Sequence, residues 1–278
     1  MKEAQLQMNL PGVLKAKQGR EVAPQWEWTE ASVWTERMLA ALERGVKGGK
    51  WFSLMDKVWK TENLQSAVKQ VLRNQGGAGV DGQSCEDYLK ASPQRLPILQ
   101  AKLKQGNYQP KPVKRVWIPK LGSKELRPLG IPTVEDRVVQ TALRNVLEPL
   151  FERTFAEHSY GFRPGRGAKQ ALRRVDQLLK SGHHWVVDAD LKGYFDSIPQ
   201  DKMMEAVETQ IADGAVLKLI GQMLGQGVME SGKGWQPTET GTPQGAVISP
   251  LLANIYLNPL DQSMCRPCRP MDWSSGFR

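Results

Sequence analysis

The sequence predicts an α+β fold, rich in helix and poor in strand. Three observations carry this. Apolar residues recur at helical spacing through several long stretches, a basic segment near residue 115 alternates in strand fashion around turn residues, and one short apolar run ends in two acids. At 278 residues the chain is long enough for about two domain-sized units. Hydrophobic residues make up 40% of it, too many for a wholly disordered chain. No run of about 18 apolar residues exists, so a spanning helix is not expected. The first residues lack an apolar core, so no secretory signal is read there. Three cysteines exclude a disulfide scaffold and fit a reducing, cytoplasmic setting. Lys plus Arg is 38 against 29 acids, a net charge of +9, and a basic protein without a membrane segment most simply meets a polyanion such as nucleic acid.

Residues 1–50 read as an extension around a core. A helix is expected near Ser32 to Arg44, closed by Gly45, Gly48 and Gly49. Leu64, Ala67, Val68, Val71 and Leu72 predict the next helix, and the glycine-rich run Gly76 to Gly82 ends it, asking for unusual backbone angles. That run is no nucleotide-binding fingerprint, because no strand precedes it. A further helix is expected from Ser92 to Lys104.

Pro110 to Arg127 reads as a basic hairpin, with Lys111, Lys114, Arg115, Lys120, Lys124 and Arg127 against one acid, Glu125. Lysines also guard exposed strand edges, so the segment fits either a solvated edge or a phosphate-binding surface, with Lys114 and Arg115 as candidate nucleic-acid contacts. Thr133 and Asp136 then form a variant capping box before a core helix striped by Val138, Val139, Ala142, Leu143, Val146, Leu147 and Leu150, which Pro149 should bend or end. Ala168, Ala171, Leu172, Val175, Leu178 and Leu179 mark another helix, with Lys169, Arg173 and Lys180 opposite.

His184 to Leu191 reads as a buried strand ending in acids. Period two puts Val186, Asp188 and Asp190 on one face. Such an Asp can bind a hard cation such as Mg²⁺, or simply cap the following turn. Cys265 and Cys268 have no second ligand pair, so a zinc site is not expected. Gly241-Thr242-Pro243-Gln244-Gly245 is a constrained turn that could present Gln244 to a ligand or merely connect elements. Ser249-Pro250 reads as a cap and first helical residue.

Taken in order, Gly79-Val80-Asp81-Gly82, Ile118-Pro119-Lys120, Arg127-Pro128-Leu129-Gly130-Ile131-Pro132-Thr133, Ser159-Tyr160-Gly161-Phe162-Arg163-Pro164-Gly165-Arg166, Asp190-Leu191-Lys192-Gly193-Tyr194-Phe195-Asp196, the Gly241–Gly245 turn and Ser249-Pro250-Leu251-Leu252-Ala253-Asn254-Ile255-Tyr256-Leu257 closely resemble the fingers and front palm of group II intron reverse transcriptases and maturases. The resemblance implies right-hand polymerase fingers and a partial palm with a small, mainly antiparallel sheet. It divides the chain into an extension (1–50), fingers with the basic hairpin (51–132), partial palm (133–264) and a tail without family character (265–278). It implies RNA-templated DNA synthesis with a maturase role, and as partners a group II intron RNA, an RNA template with a DNA primer, and deoxynucleoside triphosphates. No membrane partner is expected. Carried over by residue, Asp190 is the catalytic acid and Mg²⁺ ligand. Lys120 and Arg127 hold the triphosphate. Phe195 lies under the sugar and excludes a 2′-hydroxyl. Gln244 flanks the nucleotide, and Arg163 and Arg166 touch the template backbone. The chain departs from the family in one respect: no Asp-Asp pair occurs in it, and the tail reads like a shifted frame. The expectation is a truncated, inactive member, with non-catalytic RNA binding as the alternative.

Overall fold

A computed structural model describes residues 24–46, 48–119, 122 and 124–265. Helices begin where the sequence supplies an oxygen for their orphaned first amides. Thr35 caps α1 (Glu36–Arg44) by accepting from the Met38 amide, and α2 (Met55–Val58) and α3 (Thr61–Arg73) follow. Ser84 caps α4 (Cys85–Lys104), which therefore starts a full two turns before the expected Ser92. The helix runs through both Pro93 and Pro97, as the expected span also did.

The basic segment forms β1 (Val113–Pro119) and β2 (Leu126–Ile131), paired antiparallel with Arg115 opposite Gly130 and Ile118 opposite Arg127. Thr133 caps α5 (Val134–Glu152) as expected, with its hydroxyl 2.6 Å from the Asp136 carboxylate and the Asp136 amide 3.1 Å from that hydroxyl. Pro149 does not end this helix, which continues to Glu152. Next come α6 (Ala168–Lys180), α7 (Tyr194–Ser197), α8 (Gln200–Glu208), α9 (Gly214–Leu224), β3 (Val228–Glu230), β4 (Gly234–Gln236) and α10 (Ser249–Met264). The sheet order is β2-β1-β3-β4, with β1 and β3 parallel and the other two pairs antiparallel, so it is small and mainly antiparallel.

Helix α5 is the axis of the core. It packs on α2, α3, α4 and α10, and it is buried nearly all round rather than along the single expected stripe. Its polar residues serve as cross-links: Asn145 donates to the Asn63 side chain at 2.9 Å, Asn63 donates to the Ala142 carbonyl at 3.0 Å, and Trp34 donates to the Asn145 carbonyl at 2.9 Å. Buried polar groups so paired avoid the desolvation penalty and fix one arrangement of helices. The glycine run is needed for space more than for angle. Among Gly76, Gly77, Gly79 and Gly82 only Gly82 has positive φ, while Gly79 lies so close to Thr133 that a Cβ would sit 2.7 Å from its backbone.

Asp136 joins hairpin to helix. Its carboxylate, 2% exposed, accepts from the Tyr108 hydroxyl and from the Lys111 amide at 3.3 Å, so the chain entering β1 is held at the start of α5. Burial raises its pKa, although the hydrogen bonds from Thr133, Tyr108 and Lys111 act against that.

Asp213 plays a similar part on the far side. One carboxylate oxygen accepts the Leu54 and Met55 amides at 2.6 and 2.9 Å, and the other accepts those of Ala215 and Val216 at 3.0 and 3.2 Å. A single side chain thus caps α2 and α9. Burial acts to raise its pKa, but the four amides outweigh burial and hold it below the ordinary value. Asp213→Ala should cost about 2 kcal/mol in urea unfolding at pH 7, from the cap effect alone. Because the folded-state pKa is lowered, the contribution is present above the ordinary Asp pKa of about 3.9 and disappears as pH falls through the folded value. The gap between wild type and variant should therefore close in acid, and a gap independent of pH would contradict it.

The expected strand His184 to Leu191 is not a buried strand. The segment carries no helix or sheet assignment, and Trp185, Val186 and Val187 are 97, 75 and 91% exposed. Apolar patterning alone makes it look buried, but a strand also needs a neighbour for its amides and carbonyls. Among the described residues none is supplied, because the four-stranded sheet lies elsewhere in the fold. Helix α6 forms as expected but has no buried residue, leaving Leu172, Val175 and Leu179 exposed. The predicted Lys120 lies outside the described residues, as do residues 1–23 and 266–278.

Candidate functional site

The Gly241–Gly245 turn ties β2 to the chain around α7. On one side the Gly241 amide donates to the Ile198 carbonyl at 2.7 Å and the Thr242 amide to the Phe195 carbonyl at 2.8 Å. On the other, the Gly130 amide of β2 donates to the Gln244 carbonyl at 2.7 Å. Both ends require glycine. Gly241 has φ +75°, and a Cβ there would lie 2.5 Å from the Phe195 oxygen. Gly245 has φ +106°, and a Cβ there would lie 2.6 Å from the Gly130 oxygen. L-residues rarely adopt such angles, and backbone atoms cannot yield to the overlap.

Ser249 does not cap α10, contrary to the sequence expectation. The cap position is Ile248, and Ser249 turns back onto the turn. Its hydroxyl donates to the Pro243 carbonyl at 3.0 Å and lies 2.5 Å from the Thr242 hydroxyl. With its own proton given to Pro243, it accepts from Thr242, and both hydroxyls are buried. These two residues were missed as positioning groups because only tertiary folding brings the start of α10 under the turn.

The turn brings Phe195 and Gln244 together with the root of the basic hairpin. Phe195 is half-buried, edge-on to the exposed ring of Phe162 at 6.3 Å between centroids. Gln244 is half-buried. The hairpin itself is split by strand alternation. Lys114 and Arg127 share one face and are exposed, while Arg115 and Gly130 share the other. The single basic surface expected from composition is therefore two surfaces.

A cavity of about 430 Å³ opens on the Arg115 face, lined by Arg115, Asp196, Glu230, Glu239, Thr242 and Gln244 among others. Arg115 lies 5.9 Å from the Trp117 ring, and Trp117 donates to Glu230 at 3.1 Å. Lys233 and Trp117 hold the Glu230 carboxyl below its ordinary pKa, so it is ionised at neutral pH. Three carboxylates, of which Glu230 is paired with Lys233 at 3.0 Å, face one guanidinium, so the cavity disfavours a polyphosphate.

Arg163 is corrected by the geometry. It is 6% exposed, and its guanidinium is consumed by Glu152, at 2.7 Å, and by the Ala156 and Ser159 carbonyls, at 2.6 and 2.8 Å. Arginine has five donors in a fixed fork, and this arrangement folds the loop after α5 instead of offering them to a template. Arg166 is half-buried and donates to the Glu157 carbonyl.

Asp190 is exposed, in the unpaired segment before Phe195. Among the described residues no group of three His, Cys, Asp or Glu side chains is gathered in a way that could hold a metal ion. Among the described residues, therefore, the acid expected as a metal ligand stands outside any such group.

The sequence profile for reverse transcriptase (RNA-dependent DNA polymerase) matches residues 118–268, which is over half of the chain. The chain belongs to the reverse transcriptase family. Among its relatives are proteins of the intron-encoded kind that the seven motifs resemble. It is 41% identical over 173 residues to the group II intron-encoded protein LtrA of Lactococcus lactis subsp. cremoris, covering 62% of this chain and 28% of that protein. It is 40% identical over 215 residues to the protein YkfC of Escherichia coli K12, covering 75% of this chain and 56% of that protein. It is 39% identical over 160 residues to an uncharacterised 91 kDa protein in a cob intron of Schizosaccharomyces pombe, covering 58% of this chain and 20% of that protein. The chain thus spans about half, or less, of the length of these relatives. Its fold is similar to a chain of a Cas6-RT-Cas1–Cas2 complex, with a TM-score of 0.52 at 21% identity, over 76% of this chain and 35% of that one. This reverse transcriptase fold places Phe195, Gln244 and the hairpin root about one turn. No helix among the described residues is long and apolar enough to cross a membrane.

Proposed function

We propose that this chain is the nucleotide- and template-binding portion of a group II intron reverse transcriptase, acting on RNA. The observation that carries this reading is the Gly241–Gly245 turn, bonded at once to Phe195 and to the hairpin strand β2. The triphosphate of an incoming deoxynucleotide belongs on the hairpin face that carries Lys114 and Arg127, because the opposite face opens on the three carboxylates Asp196, Glu230 and Glu239. Lys120 joins that cationic set by family resemblance. Phe195 backs the sugar, and its bulk opposes a 2′-hydroxyl. Gln244, held by Ser249 and Thr242 through the turn, flanks the nucleotide. Mg²⁺ is the metal of this chemistry, with Asp190 as one ligand. The remaining ligands are not assembled among the described residues, so no chemical step is drawn through it. A second reading, RNA binding without catalysis, is favoured by the isolation of Asp190. The proposed regions are an extension to residue 50, fingers over 51–132 and palm over 133–264.

Salt-dependent RNA binding tests the reading. Lys114→Gln with Arg127→Gln should weaken binding and reduce the slope of log affinity against log salt by about 1 to 1.5, at roughly 0.7 for each phosphate left without its cation. Arg115→Gln, on the acidic face, should leave the slope near that of wild type. Equal effects from both faces would overturn the assignment.

A further inference from the structure

We propose that Phe162 is a positioning residue for sugar selection: its ring holds that of Phe195 in the orientation that opposes a 2′-hydroxyl. The inference rests on the proposed role of Phe195 and extends it to a second residue, in the loop after α5.

The first observation is a strained backbone. Phe162 has φ +54°, and among the described residues only Ser53 and Gln75 share a positive φ without being glycine. A bulky side chain is a genuine outlier in that region, and such strain persists only where the surroundings over-determine it. They do so here. The Gly161 carbonyl, just before Phe162, accepts from the Asn254 side chain of α10 at 2.8 Å. Arg163, just after it, is locked by Glu152 and by the Ala156 and Ser159 carbonyls, and its guanidinium lies 5.3 Å from the Phe155 ring. Farther back, Asn258 of α10 accepts from the Ala156 amide at 3.2 Å and donates to the Thr154 carbonyl at 3.2 Å. Helices α5 and α10 thus clamp the chain on both sides of Phe162. Glycine would adopt this φ without strain, so folding alone does not ask for a phenyl ring.

The second observation is where the ring goes. From this backbone it stands edge-on to Phe195, at 84° and 6.3 Å between centroids. Tyr194 is a second ring against Phe195, at 61° and 5.9 Å, and its hydroxyl is tied to the Ala253 carbonyl at 2.8 Å. The Phe195 carbonyl accepts the Thr242 amide at 2.8 Å, so its backbone is fixed and what remains to be set is the ring. A phenylalanine side chain turns between staggered wells, and it can block a 2′-hydroxyl only from one of them. An edge-to-face partner favours that well by about two- to tenfold in population.

Nucleotide binding to the full chain on an RNA template with a DNA primer tests this, with dGTP and GTP each titrated by calorimetry in Mg²⁺. Wild type is expected to bind the deoxynucleotide more tightly. Phe162→Gly should lower that preference about two- to tenfold, through tighter binding of GTP, and should raise the urea midpoint because the strain is relieved. Phe162→Tyr keeps the ring edge and should keep the preference. A ring that merely packs the loop would give the reverse, lower stability with an unchanged preference, and that result overturns the proposal. Preference lost in Phe195→Ala but kept in Phe162→Gly overturns the proposal alone. A wild type that binds neither nucleotide, or both alike, overturns the reading of Phe195 and the proposal with it.

Discussion

Gly245→Ala is expected to lose about 3 kcal/mol of stability in urea unfolding and to abolish salt-sensitive RNA binding by the folded fraction. The magnitude comes from two sources. A left-handed φ costs an L-residue about 1–2 kcal/mol, and relieving a steric overlap by shifting packed backbone adds about as much. Here the new Cβ would sit 2.6 Å from the Gly130 oxygen and 2.7 Å from Leu129 Cδ1. Relief requires β2 to move off the turn, which breaks the 2.7 Å bond from the Gly130 amide to the Gln244 carbonyl. The hairpin would then lose its registration against Phe195. Gly221→Ala is the contrast. It lies within α9 with nothing within 4 Å of its Cβ position, so alanine should stabilise by about 0.5–1 kcal/mol through helix propensity. Similar losses from both substitutions would show that the turn is not the junction.

A chain of these 278 residues is expected to give no primer extension with an RNA template, a DNA primer, Mg²⁺ and deoxynucleotides. Mg²⁺ keeps its own waters and is placed firmly only by several carboxylates with substrate phosphates. Asp190 is one exposed carboxylate, and the sequence contains no Asp-Asp pair to join it. Fusion to the polymerase segment of a relative that carries the Asp-Asp pair should produce extension. In that protein Asp190→Ala should lower the rate by at least about a hundredfold. Phe195→Ala should leave extension in place and admit ribonucleotides more readily. Extension by the unfused chain that vanishes in Asp190→Ala would overturn the expectation and point to another acid in the site. Unchanged sugar discrimination in Phe195→Ala would return that ring to packing against Phe162 and Tyr194.

Local chemistry was legible from the residues alone. The Thr133–Asp136 capping box, the β1–β2 hairpin and helix α5 itself follow from short-range rules of capping, alternation and helical period, and each stands in the fold, though α5 is buried beyond its expected stripe. The seven ordered motifs carried the family before any geometry was known. The start of α4 was not legible, since the helix begins at Cys85 and not at the expected Ser92. Pro93, Pro97 and Pro149 all sit inside helices whose tertiary packing outweighs the lost hydrogen bond.

What the sequence by itself determined was the longer amphipathic helices, the basic hairpin and which family they serve. What only the tertiary structure decided was which of those residues are free to act. Arg163 and Arg166 are equally basic in the sequence, but Glu152 and two carbonyls remove Arg163 from any ligand. Lys114 and Arg115 are neighbours, but alternation sends them to opposite faces, one cationic and one lined by carboxylates. The run from His184 to Leu191 has the apolar pattern of a core strand, yet it stays in solvent. Burial and backbone pairing are properties of contacts between distant segments, and an apolar pattern records only the need for a partner, not its presence.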